Sequence, residues 1–198
     1  GLRWLDELRV LANEHCFVFF QAVGTAQRGW CLAALGDAQQ GAGLLRAAIA
    51  PLQKAGSLIW IPSFLRAEAE ALVHAERWEE ARGRLDESIA LATATGAAWD
   101  LAEMHRVRGD LLAARGDASG AEDAYADAIA SAGALGAHLF ALRAATSLAG
   151  LRGERGRPAE GIAALAPLLD RFGEETGAPD LERARTVLNA LRASAVTH

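Results

Sequence analysis

"EMHRVRGDLLAARGD", residues 103–117, decides how the chain is read. Its apolar residues recur at helical spacing, yet Gly109 stands in the middle, where glycine costs about 1 kcal/mol relative to alanine. A glycine kept there marks a place where something comes closer than a side chain permits. Its counterparts lie forty residues apart: Gly29, Ala69, Gly109 and Ala149 are all small. Twelve residues further on, Gly41, Ala81, Ala121 and Gly161 are small again, and four beyond those come Leu45, Leu85, Tyr125 and Leu165. Leu32, Leu72 and Leu112 share another phase, in which the fourth unit has Arg152. Self-similarity at a fixed spacing of this size is the signature of a stacked repeat.

The turn residues keep the same beat. Gly36, Gly116 and Gly156 share one phase, with Glu76 as the exception, and Gly56, Gly96 and Gly136 share another. Each glycine follows an apolar-periodic run, where a left-handed C-cap ends a helix. The unit is therefore two helices and two turns. The pattern predicts repeats over 17–54, 59–94, 98–134 and 138–172, with first helices at 17–34, 59–74, 98–114 and 138–154. Second helices follow at 38–54, 78–94, 118–134 and 158–172. A capping helix spans 179–194, and Asp37 and Asp117 are placed as N-caps, with Pro158 and Pro179 in first turns. Residues 1–14 read as the second helix of a truncated repeat, because Gly1, Leu5 and Leu8 fall forty before Gly41, Leu45 and Ala48. The expectation is one domain over 1–198, a fragment of a longer protein, whose exposed ends invite a homodimer.

Composition agrees with an all-α fold. Hydrophobic residues make up 52% of the 198, alanine leads them, and aromatics are only 6%. A net charge of −5 argues against nucleic acid, which requires a basic surface to displace counterions from phosphates. No apolar run reaches the roughly 18 residues needed to cross a bilayer, so no membrane partner is expected. Two cysteines, Cys16 and Cys31, suit a reducing cytoplasm better than a disulfide scaffold. "GTAQRG", 24–29, has phosphate-loop spacing, but Trp30 stands where lysine is required. Metal-hydrolase, serine-hydrolase and paired-cysteine motifs are missing, and no cofactor is expected.

The small–small–aromatic spacing of Gly109, Ala121, Tyr125 and Ala128, together with "RWEEARGRLDESIALA" at 77–92, resembles the tetratricopeptide repeat. The likeness covers essentially the whole chain, with a period of 40 in place of about 34. It implies a right-handed α-solenoid of helix-turn-helix repeats. "EMHRVRGDLLAARGD", "LFALRAATSLAGLRGERGRPAEGIAALAPLLDRF" and "TGAPDLERARTVLNAL", in that order, are similar to the C-terminal helical region of large bacterial signalling regulators. In those proteins a nucleotide-cyclase or DNA-binding module and an AAA-type ATPase precede the repeats. The resemblance implies a cytoplasmic, non-catalytic module that binds a protein, a peptide or another domain of its own parent chain. The alternative it leaves open is a superhelix that senses a small-molecule effector and controls the attached output.

By the same resemblance, the first-helix positions lining a concave groove are Trp30, Glu70 and Asp110 in one phase, and Arg66 and Arg106 in another. Glu103 and Arg143 form a third phase and His74 a fourth. Arg66 and Arg106 either clamp a carboxylate between two guanidinium forks or neutralise Glu70 and Asp110 as i,i+4 pairs. His105 reads as a hydrogen-bonded imidazole packed between helices. The aromatics at the starts of first helices, Phe19, Phe20, Trp60, Trp99 and Phe140, read as core between repeats in preference to a stacking ladder.

Overall fold

The computed structural model describes residues 2–54, 56–173 and 177–196, and the described residues contain helices and turns but no strand. Ten α-helices follow one another: α1 (Leu2–Glu14), α2 (Val18–Ala34), α3 (Ala38–Lys54), α4 (Ile61–His74), α5 (Trp78–Thr95), α6 (Leu101–Ala114), α7 (Ala118–Ala134), α8 (His138–Glu154), α9 (Pro158–Leu169) and α10 (Pro179–Val196). Gly1, which the pattern pairs with Gly41, lies outside the described residues.

Two compact units divide the chain, Gly1–Asp100 and Leu101–His198. In the N-terminal unit each helix from α1 to α5 packs on its neighbour in sequence, and α2 also touches α4. Turns this short between touching helices make neighbours antiparallel, so α2 and α4 run the same way. Leu45, Leu52, Ile61, Leu65, Leu72 and Leu85 form the interior, all at most 2% exposed. The C-terminal unit repeats the scheme with α6 to α10, where α6 touches α8 and α8 touches α10. Leu142, Leu165, Leu169, Leu181, Leu188 and Leu191 are its largest cluster.

Helix ends have local causes. Asp117 accepts a hydrogen bond from the Gly120 amide at 2.9 Å and Asp37 one from Gln40 at 3.1 Å, which satisfies first-turn donors of α7 and α3. Pro158 and Pro179 open α9 and α10, where a missing N–H costs nothing. Two α-helices begin later than the pattern predicts: 3-10 turns at Leu58–Trp60 and Ala98–Asp100 precede α4 and α6. At its other end α9 stops at Leu169, with a 3-10 turn over Asp170–Phe172. The Glu76 exception is conformationally no exception, for it holds φ +57° where Gly36, Gly116 and Gly156 hold +99°, +85° and +73°.

Gly109 sits in α6 because a Cβ there would enter the ring of Tyr125 on α7, 2.6 Å from Cδ1. Gly29 of α2 faces Gly41 of α3 so closely that a Cβ on either would lie within 2.7 Å of the other's carbonyl oxygen. Gly24 to Gly29 are inside α2 and form no loop. The aromatics at first-helix starts are core only in part. Phe140 packs on Ala102, Ala132 and Ala141, but Phe20, Trp60 and Trp99 are 48, 43 and 41% exposed.

Candidate functional site

In the N-terminal unit, α4 carries three of the eight groove candidates. Arg66 donates from Nε to Asp100 Oδ2 at 2.8 Å and from Nη1 to Glu70 Oε2 at 3.2 Å. Asp100 is buried, and the Arg66 and Glu70 side chains are mostly buried. His74 is exposed in the last turn of the same helix. Trp30 stands on α2 with 47% of its surface exposed.

The C-terminal unit brings its four candidates together. Arg106 on α6 donates to Glu103 at 3.2 Å and to Asp110 at 2.6 Å, one turn either side of it. Arg143 on α8 reaches Glu103 Oε2 at 3.5 Å and places both Nε and Nη2 on Asp180 Oδ2 of α10, at 2.9 and 2.7 Å. Its guanidinium also lies 5.8 Å from the centre of the Phe140 ring, within cation–π range. Burial pulls the Arg143 pKa down, but the hydrogen bond to Asp180 and the charge of Glu103 outweigh it, and the net shift is upward. Tyr125 on α7 completes the set, its hydroxyl donating to Asp110 Oδ1 at 2.7 Å. Burial first, then the Asp110 charge, raises the phenol pKa, so Tyr125 stays a donor across the physiological range.

Of the two roles open to Arg66 and Arg106, the geometry displays the i,i+4 pairs, each with a further buried carboxylate, Asp100 or Glu103, added. An incoming carboxylate would have to compete with these residents. Asp100 and Asp180 are partners that sequence reasoning misses. They lie 34 and 37 residues from the arginines they bind, a separation that no local spacing rule covers. Glu68 is missed as well. Fully buried on α4, it takes Arg46 Nε of α3 at 2.7 Å and Arg84 Nε of α5 at 3.3 Å on the same oxygen, tying three helices together. Its alternation with Ala67 and Ala69 gives no warning that a carboxylate points inward.

His105 departs from its expected role: it packs half-buried on α6, but its buried Nδ1 has no hydrogen-bond partner. Burial lowers its pKa, Asp127 opposes the change and Arg108 adds to it. A cavity of about 360 Å³ opens between α9 and α10, lined by Leu169, Asp170, Arg185, Leu188, Asn189 and Arg192, and none of the eight candidates borders it. Among the described residues no group of three His, Cys, Asp or Glu side chains is placed to hold a metal ion. Among the described residues no helix is long and apolar enough to cross a membrane.

No protein-family model and no curated protein matches the chain. The crystal structure of BtubC (BKLC) from P. vanneervenii is similar, with a TM-score of 0.73 and 16% identity over 98% of this chain and 81% of that one. At that identity the likeness is one of fold.

Proposed function

We propose that the chain is a non-catalytic interaction module built of tetratricopeptide-like hairpins with a 40-residue period, stacked as a right-handed α-solenoid. It binds a peptide segment or a domain within a bacterial signalling or transcriptional regulator. Contacts between alternate helices support the stacking. So do the left-handed residues at 16, 56, 96 and 136 and at 36, 76, 116 and 156. The two free cysteines fit a reducing cytoplasm.

One observation carries the binding reading: within each unit the charged side chains of the candidate set are held in place by their own neighbours while keeping part of their surface open. Glu70, Asp110 and Arg143 retain 22, 29 and 32% side-chain exposure. Side chains already ordered lose little entropy when a partner arrives. Their mixed signs suit a partner of mixed charge, and Trp30 supplies an exposed aromatic anchor of the kind that dominates binding energy.

The test is panning of a random-peptide display library against the chain, with Trp30→Ala and His74→Glu as variants. Both positions are exposed, whereas truncating Arg66 or Arg106 would strand a buried carboxylate and damage the fold. Selected peptides should bind each variant at least tenfold more weakly at an unchanged melting temperature. Failure to select any peptide, or peptides that bind both variants as well as the parent, would overturn the reading.

A further inference from the structure

The N-terminal unit has two chemically opposite ends. At one, the turns between α2 and α3 and between α4 and α5 carry Asp37, Glu76 and Arg77, and the first turn of α5 adds Glu79 and Glu80. At the other, no Asp, Glu, Lys or Arg occurs over 15–27, 55–65 or 88–99, and the charges at the three remaining turns are few: Glu14 and Lys54, both exposed, and the buried Asp100. α2 and α4 run parallel, touch and both begin at that charge-poor end. In each of its turns a left-handed residue, Cys16, Gly56 or Gly96, reverses the chain, and apolar side chains follow it outward. Phe17, Phe20, Leu58, Ile59, Trp60 and Trp99 are each 41–57% exposed. They are not scattered, for Trp60 and Trp99 meet edge to face with ring centroids 5.8 Å apart, and Phe17 lies 6.2 Å from Phe20. Isolated exposed apolar residues require no explanation; six on three turns of one end do.

We propose that this charge-poor aromatic end is a self-association surface, on which a second copy of the chain docks with the Trp60–Trp99 pair at the centre. Charge decides between occupants. A charged partner would lose hydration here with little counter-charge to replace it, and anionic lipid or nucleic acid would find a single basic residue, Lys54 at the end of α3. Two copies of a chain with net charge −5 repel one another through their charged faces, but this end opposes few charges to its own image, with Glu14 and Lys54 at its border. A two-fold axis sets the same patch against itself and would gather two tryptophan pairs into one cluster, the residue type most enriched in binding hot spots. This surface shares no residue with the groove of the proposed function, so either inference stands without the other.

Sedimentation velocity of the chain over the micromolar to millimolar range tests the proposal. The mass should climb from 20.8 kDa toward twice that value with concentration. Ile59→Glu, which sets like charges across the axis at an exposed position, should weaken association at least tenfold, and Trp99→Ser should do likewise. Leu35→Glu, at a 72% exposed leucine of the charged end, should change nothing. Circular dichroism of each variant guards against loss of fold. A chain that is monomeric at every concentration, or dimers weakened equally by Leu35→Glu and Ile59→Glu, would overturn the proposal. So would a monomer that pellets with phosphatidylcholine vesicles through Ile59, which would assign the surface to lipid.

Discussion

In the α2–α3 hairpin of the N-terminal unit, a Cβ added to Gly29 would meet the Gly41 carbonyl oxygen at 2.7 Å; in the α6–α7 hairpin of the C-terminal unit, one added to Gly109 would meet the Tyr125 ring. Small residues thus do two jobs at matching points of the chain. In the first hairpin backbone lies on backbone, and Leu45 fills the next layer, 1% exposed. In the second the missing side chain is a socket for an aromatic ring, whose hydroxyl then reaches Asp110 and the charged cluster around Arg106. Core packing and polar surface are coupled in the second hairpin and separate in the first.

The comparison is sharpest in its largest expected effect. Gly29→Ala pushes a methyl group against a backbone carbonyl that no rotamer change can move, so α2 and α3 must part. The loss should be about 3 kcal/mol, the upper part of the range for overpacking, read from urea unfolding. Trimming Leu45 should not restore it. Gly109→Ala displaces a ring instead, and alanine recovers about 1 kcal/mol of helix propensity, which leaves a net loss of about 1–2 kcal/mol. In a Tyr125→Leu background the same substitution should turn neutral or stabilising. An unchanged loss in that background would mean that the two glycines serve the same purpose after all.

What can be read from sequence follows this division. Helical character, turn glycines and the register of small residues are legible because each depends on spacing within a helix or on the conformation one residue permits. Gly109 announces that something approaches, but the spacing suggests a second backbone with Tyr125 in the next layer, and only the packing shows that the ring itself fills the space. The charged cluster is legible only where partners are three or four residues apart, as in Arg106 with Asp110. Asp100, Asp180 and the buried Glu68 come into contact through tertiary packing, which carries no local period. Trp60 and Trp99 mislead for a related reason: hydrophobicity argues for burial, whereas their exposure, like that of Phe20 inside α2, depends on how each helix start meets its neighbours. Pro62, in the first turn of α4, is the one visible hint of such a start.

Tyr125→Phe tests the coupling directly by removing the hydroxyl while leaving the ring in the Gly109 socket. Hydrogen bonds to charged groups contribute about 1.5–3 kcal/mol, and Asp110 keeps Arg106 and partial solvent contact, so a loss of about 1 kcal/mol is expected. The variant should remain as sensitive to Gly109→Ala as the parent. If it does not, the ring was held in place by its hydroxyl and the socket is secondary.

The smallest effect separates the hairpins by pH. His105 lies on α6, its charge state governed by burial, by Asp127 of α7 and by Arg108 on its own helix, while neither α2 nor α3 contains a histidine. Burial sets the folded pKa below the ordinary 6.5, so as pH falls through that value the unfolded chain takes up the proton before the folded one does. Stability therefore declines below about pH 6.5 and levels off once the folded form also protonates. Urea midpoints at about pH 7.5 and about pH 5.5 should draw closer together in His105→Gln than in the parent. His74→Gln, at an exposed site on α4, should leave their separation as it was. Equal behaviour of the two variants would show that the acid response is spread over the surface and owes nothing to the α6–α7 interface.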